Sequence, residues 1–317
     1  MRVATLRQLL RRPGSGIGRD AGLRHDPGAR ASGLCLTTTL FLLVAPGRAG
    51  AYFERVDTSS RALAFGGAYV ALATDASGVA VNPGALAALD HPELQLTVSR
   101  PYFVPDLLSN SLMVGWPALG GVVGAGWHRL GNDFMAEDVW FASYGRWIYR
   151  DDHGIAYLGS ALKIGHVGVD AGLGAPDFGG ATTATGDIGL FYQARFGLTA
   201  GAVVRNLGEP NIEFVDGSGS TPWQTCTDVG IAYRWRPEST LSGGWTSEGR
   251  SRDALRVGGE IWFYDVFAVR AGVYGTEFAG GFGLKTQRWV VDSSFVTQAQ
   301  LGLSGRVTLT LPLGGRR

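Results

Sequence analysis

Cysteine is nearly missing from this chain: Cys35 and Cys226 are the whole supply in 317 residues. Lysine is equally scarce. Lys163 and Lys285 each follow a leucine, which excludes a phosphate-binding loop that needs glycine before its lysine. The five histidines (His25, His91, His128, His153, His166) show no metal-ligand spacing, and no H-E-x-x-H or G-x-S-x-G occurs. The sequence therefore points to no enzyme, no metal and no cofactor. Charged residues reach only 17%, against ~25% in ordinary soluble domains. A net charge of +1 argues against a nucleic-acid partner. No apolar run approaches the ~20 residues of a spanning helix. Residues 107–127 carry no charge, but Pro117 and five glycines make that stretch a hairpin instead.

What is abundant is glycine, at 49 residues, and hydrophobic side chains, at 45%. The glycines have no three-residue period, which excludes collagen. The aromatics and the low charge exclude disorder.

The first 51 residues stand apart. Eight of the 28 basic residues and two of the 27 acidic ones fall there, leaving 20 against 25 in the remainder. A basic stretch leads to the eleven-residue run Leu34–Val44 and then to Ala49-Gly50-Ala51. That order reads as a secretory signal cleaved after Ala51. Only Cys226 would remain, so an intramolecular disulfide is excluded.

From residue 94 on, the chain is a succession of two-faced segments. Leu255, Val257, Ile261 and Phe263 alternate with Arg256, Glu260 and Trp262, and similar alternation recurs through Ile188–Phe196, Val229–Trp235 and Val307–Leu313. Fourteen such segments fit: 94–103, 109–118, 120–130, 137–149, 154–167, 185–196, 198–206, 222–235, 238–246, 254–263, 265–275, 277–287, 289–298 and 304–313. This spacing leaves room for membrane strands of ~9–11 residues with short connections. An all-β transmembrane antiparallel barrel of about 14 strands is expected over 94–317. A soluble exported β-protein is the competing architecture. In the barrel, Lys163, Asp187, Arg195, Arg205, Asp228, Arg234, Arg256, Glu260, Arg270 and Asp292 would face the lumen, because charge on the lipid face costs ~2–4 kcal/mol at the midplane. They would either pair and anchor a plug or line a substrate path.

Residues 52–93 form the expected plug, a helical hatch. Ser59 and Ser60 offer a hydroxyl cap before small residues at helical spacing, predicting a helix through Ala73. Asp75–Gly78 turns the chain, and Asn82-Pro83 opens a second short helix. Glycine in the strands would let this hatch approach the wall closely.

The stretch Ser60–Pro83, SRALAFGGAYVALATDASGVAVNP, resembles the N-terminal signature of the PorV/PorQ family, outer-membrane proteins similar to the FadL fatty-acid transporters. Val257–Phe263 and Val203–Gly208 resemble later elements of the same family. Gly84-Ala85 stands where the family has Ala-Gly, and the chain ends in Gly314-Gly-Arg-Arg317 where an aromatic residue is usual. The resemblance implies a Gram-negative outer-membrane location, contact with outer-membrane lipid, and a hatch motif of Arg61, Gly66, Gly67, Asp75, Asn82 and Pro83. Two roles follow from it: passive transport of a hydrophobic small molecule, or a secretion-associated barrel that binds exported protein cargo.

Overall fold

The computed structural model describes residues 58–169, 180–212, 221–248, 252–298 and 302–314. The signal-like leader lies outside these residues.

Among the described residues three short helices come first: α1 (Ser60–Ala64), α2 (Gly78–Val81) and α3 (Pro83–Leu86). The strands follow: β1 (Glu93–Arg100), β2 (Leu108–Ala118), β3 (Gly121–Gly131), β4 (Met135–Arg150), β5 (Gly154–Val169), β6 (Gly180–Ala194) and β7 (Leu198–Arg205). A two-stranded ribbon comes next, β8 (Asn211–Ile212) with β9 (Thr221–Pro222). The remaining strands are β10 (Cys226–Arg236), β11 (Ser239–Glu248), β12 (Arg252–Phe263), β13 (Phe267–Tyr274), β14 (Glu277–Lys285), β15 (Val290–Gln298) and β16 (Gly302–Pro312).

Without the ribbon, fourteen strands pair antiparallel in chain order and close into a barrel. The closing pair is β1 with β16, from Glu93 opposite Pro312 to Arg100 opposite Gly305. Closure is what a bilayer demands, since an open edge would leave backbone groups unpaired in hydrocarbon.

Each expected strand is present, with instructive shifts. The segment expected at 185–196 begins earlier, at Gly180, because it pairs with the long β5 as far as Gly168. The one expected at 222–235 begins later, at Cys226, because Thr221 and Pro222 pair with Ile212 and Asn211 instead. The hairpin expected around Pro117 turns at Leu119 and Gly120, both at positive φ. That is the primed geometry that matches strand twist.

Alternation separates the two faces. In β1, Glu93, Gln95, Thr97 and Ser99 are buried inside, whereas Leu96 and Val98 are exposed outside. Around the outside run Leu112, Leu162, Leu190, Ile231, Leu241, Val257, Val269, Phe282 and Val307. Outward aromatics flank this belt, with Trp116, Tyr233, Trp235 and Phe263 toward one end and Trp140, Trp245 and Phe278 toward the other.

The two ends differ. One, here the proximal end, holds the start of β1, the finish of β16 and turns as short as Leu119-Gly120. The distal end carries the connection 101–107 and the described parts of that between β7 and β10, 206–212 and 221–225. Strands β4, β5 and β6 run 15 or 16 residues and stand above their neighbours, since β7 has only 8.

The outer face makes a direct prediction. Val257 lies at the middle of β12 and points to lipid. Val257→Arg should lower barrel stability in liposomes by ~2–4 kcal/mol, read from urea unfolding. An unchanged midpoint would remove that belt from the bilayer.

Candidate functional site

Thr58, the first described residue of the hatch, is already inside the barrel. Ser59 caps α1, accepting from the Ala62 amide at 3.4 Å. The helix was expected to reach Ala73 but stops at Ala64. Gly66 and Gly67 take φ of 61° and 76°, the left-handed region, and turn the chain away. Asn82 caps α3 as its spacing implied, with Oδ1 accepting from the Gly84 amide at 3.0 Å and Pro83 in the first turn. Its Nδ2 donates to the Val70 carbonyl at 3.0 Å and to the Leu190 carbonyl of the wall at 3.1 Å.

The hatch meets the wall backbone to backbone. A Cβ on Gly258 or Gly272 would overlap the main chain of Phe65. A Cβ on Gly145 or Gly159 would overlap the carbonyl of Pro83, and one on Gly189 would overlap the Asn82 amide group. Two glycine patches on opposite parts of the wall therefore receive α1 and α3. Gly272→Val should disturb this seat at an overpacking cost of about 1–3 kcal/mol. Thermal unfolding of the folded barrel, followed by its gel shift without boiling, should show the loss. Wild-type behaviour would mean that the hatch does not sit there.

Charge completes the seat. Arg61 donates from Nε and Nη2 to the Glu260 carboxylate at 3.0 and 2.8 Å. Arg270 donates to Glu260 at 2.6 Å and to Asp292 at 2.6 Å. Arg61 also donates to the Tyr69 hydroxyl at 3.2 Å, and that hydroxyl donates to Asp75 at 2.5 Å. Asp75 in turn accepts from Ser77. A single chain of hydrogen bonds thus runs from β15 through β13 and β12 into the hatch. Breaking a buried pair by removing one partner costs ~3–5 kcal/mol, because the other charge stays buried. Other polar anchors are Ser60 N to Thr308 at 2.9 Å, Thr97 to the Thr58 carbonyl at 2.8 Å and Thr199 to the Ala71 carbonyl at 2.7 Å.

Burial pushes the Tyr69 hydroxyl well above the usual tyrosine range; Asp75 adds to this, while Arg61 opposes it. Burial alone would depress the Arg61 guanidinium, but Glu260, Tyr69 and Asp75 hold it above its ordinary value. The folded value of Tyr69 is raised, so its contribution is complete below about pH 10 and is lost as pH rises further, when the unfolded chain releases the proton first. The wild type should lose up to about 1.4 kcal/mol per pH unit above pH 10 relative to Tyr69→Phe. Parallel stability profiles for the two proteins would contradict it.

The remaining interior charges fall into separate groups. Lys163 pairs with Asp187 at 2.7 Å and contacts Asn206, and its ammonium lies 5.0 Å from the Trp223 ring centre. Asp228 accepts from Arg205 and Thr246, and Arg256 lies 3.7 Å away. Arg256 also donates to the Gly67 carbonyl at 3.4 Å and stacks over Tyr274. Arg234 is exposed on the inward parity of β10 at the proximal rim. Arg195 is not with the others: it sits on the turn after β6, 3.8 Å from Asp152.

The hatch divides the interior in two. On the proximal side, a cavity of about 310 Å³ is lined by Arg61, Asp75, Glu93, Arg234, Glu260 and Asp265, among others. On the distal side lies an apolar cluster. Ala76, Val79 and Leu86 of the hatch pack with Met113 of β2 and Val122 of β3 and with Val139, Phe141 and Val167 of the tall wall. Ile212 and Trp223, each 2% exposed, complete it from the β8–β9 ribbon. The ribbon fills a notch. β6 pairs with β7 only from Ile188 to Gln193, and above that its edge meets Leu207, whose amide donates to the Gly186 carbonyl at 2.9 Å. Sequence reasoning missed Trp223 by placing it in a strand, and missed Glu93, Thr97 and Thr308 for want of any charge pattern around them. The inward parity of β1 was the available signal for Glu93 and Thr97.

These features define a closed transmembrane barrel with an internal hatch. Solved structures of the same architecture exist. The CymD monoaromatic hydrocarbon channel matches at a TM-score of 0.63 and 12% identity, over 84% of this chain and 100% of that one. A FadL homologue of Pseudomonas aeruginosa matches at 0.59 and 11%, over 83% and 100%. The toluene transporter TodX of P. putida matches at 0.56 and 12%, over 80% and 98%. At such identities the likeness is one of fold. No protein-family profile and no curated protein sequence matches the chain.

Proposed function

We propose that this chain is a Gram-negative outer-membrane barrel through which hydrophobic small molecules pass passively. In this reading residues 1–51 direct export, 52–93 form the hatch and 94–317 the barrel. The proximal end, with its short turns and both barrel ends of the chain, faces the periplasm. The observation that carries the reading is the distal apolar cluster. A barrel lumen is ordinarily polar. Here Met113, Val139, Phe141 and Val167 are turned inward and form one buried cluster with hatch residues, Ile212 and Trp223. Such an apolar lining suits an apolar ligand that enters from the distal side and takes the place of the side chains of Ile212 and Trp223. The polar cavity below the hatch would then be the aqueous exit. The FadL-like architecture and the names of the hydrocarbon and toluene carriers that share it support the same reading. The signature at Ser60–Pro83 supports placing the chain with the PorV/PorQ branch.

The test is uptake of a labelled apolar compound by intact cells whose lipopolysaccharide slows unaided entry. Cells making the protein should take up the compound several-fold faster than cells without it. Trp223→Ala, which uncovers the cluster, should change that rate at least twofold. Uptake equal to that of cells without the protein would overturn the proposal.

A further inference from the structure

The outer face of the barrel is apolar over most of its height, but on β2 to β6 it changes near the distal end. Asn110, Arg129, Asp138, His166 and Thr182 stand in register across these five strands. They share the outward parity of Leu112, Trp127, Trp140 and Leu162, so all point away from the lumen. The next outward row is Gly131, Ala136, Gly168 and Gly180, with no side chain larger than a methyl. The wall is hollowed there: a recess of about 700 Å³ is lined by Arg129, Asp138 and His166 beside Ala136, Gly168 and Gly180, among others. Trp127 and Trp140 lie opposite each other on the proximal side of the charged row. Outward aromatics of this kind mark the level where hydrocarbon gives way to headgroups.

A charged pair on this face needs partners. Asp138 is nearly covered, its Oδ1 accepting from Trp127 Nε1 at 2.9 Å and its Oδ2 from Arg129 Nη1 at 3.1 Å. Arg129 is 48% exposed, and its Nε and Nη2 engage nothing among the described residues. Arg100, exposed on the same face at the distal end of β1, has no ion pair among the described residues. It stands two strands from Arg129, about 10 Å across the sheet. Beside it Phe103 folds back over the outer face, its ring 3.2 Å from where a Cβ on Gly305 would stand. The Tyr102 amide donates to the Ser304 hydroxyl at 2.9 Å and pins that turn.

Two cations with unused donors above an apolar belt suit an anion that carries its own hydrocarbon. We infer that this face binds a phosphorylated glycolipid of the outer leaflet. The sugar headgroup occupies the recess, Arg129 and Arg100 take its phosphates, and its chains run along the exposed Leu96 and Leu112 and over Trp127. The planar guanidinium fork matches phosphate oxygens. Asp138 is the positioning residue that aims Arg129. Asp133 also borders the recess, which leaves the phosphate to the Arg129 side. The inference rests on the outer-membrane placement and orientation proposed above, and not on transport.

The probes are lipid A, phosphatase-treated lipid A and inorganic phosphate. Binding to the full chain in neutral detergent is read by native mass spectrometry. The wild type should bind lipid A about tenfold more tightly than the treated form, the factor expected of a hydrogen bond between charged groups. Arg100→Gln should weaken lipid A binding severalfold, and Arg129→Gln combined with Asp138→Asn, which removes both partners together, should weaken it about tenfold. Millimolar inorganic phosphate should not displace the lipid. Gel shift without boiling checks folding; should the double variant not fold, Arg100→Gln, which breaks no pair, decides. Equal binding of the two lipids, wild-type affinity in the folded variants, or displacement by inorganic phosphate would overturn the inference. Orientation is read separately, by labelling Phe134→Cys and Leu119→Cys in intact cells with a membrane-impermeant thiol reagent. Labelling at position 134 supports the outer-leaflet assignment, whereas labelling at position 119 alone would overturn the orientation and this assignment with it. A wild type that fails to speed uptake would overturn transport and leave the lipid site standing.

Discussion

A strand inside a bilayer has no water to satisfy its backbone, so each edge must find another strand. That requirement governs this molecule. It fixes the pairing of β1 with β16 and makes alternation obligatory on every strand, since one face of each must be apolar. The other face is then free to be polar, and it is: Gln95, Thr97, Asp228, Glu260, Arg270 and Thr308 all point inward. A closed cylinder of polar side chains is a poor partner for an apolar plug. The hatch meets it with backbone groups, hydroxyls and one guanidinium, and its apolar residues pack where the wall turns apolar residues inward, Leu63 on Ala279 and Val296, and Phe65 and Tyr69 in a cluster with Tyr157 and Phe191.

That division explains the glycine content. Backbone can approach backbone only where no Cβ intervenes, and the wall presents glycine where Phe65 and Pro83 arrive. The polar links then orient what the glycines admit. Arg61 reaches across to Glu260 while Asn82 ties the other side of the hatch to Leu190. The apolar cluster of α2 and α3 lies against β2 to β6, whose long members β4, β5 and β6 carry it upward to Ile212 and Trp223.

The barrel was largely legible because its physics is periodic. Val257 and Arg256 differ in environment as sharply as adjacent residues can, and that difference repeats along each strand. Strand limits failed where a segment had a competing partner: Pro222 lies within the strand expected at 222–235 but pairs with Asn211. The hatch was read less well. Small residues from Ala62 to Ala73 suit a helix in isolation, yet the paired glycines inside that run serve the approach to β13 and end the helix at Ala64. The links between hatch and wall were out of reach, because Arg61 and Glu260 are 199 residues apart and nothing local connects them. Trp223 illustrates the same limit. Its burial is decided by a notch between β6 and β7 that exists only in the assembled sheet.

The two-sided seat has a consequence for the order of assembly. Each hairpin joins neighbours in sequence and can form early, whereas the β1–β16 seam joins the two ends of the barrel. The hatch precedes them all in the chain, yet α3 rests on β4 to β6 and α1 on β13 to β16. Ser60 bonds to Thr308 on the last strand itself. The earliest described segment of the chain is thus secured by the final strand, so its seat is complete only when the whole sheet is in register.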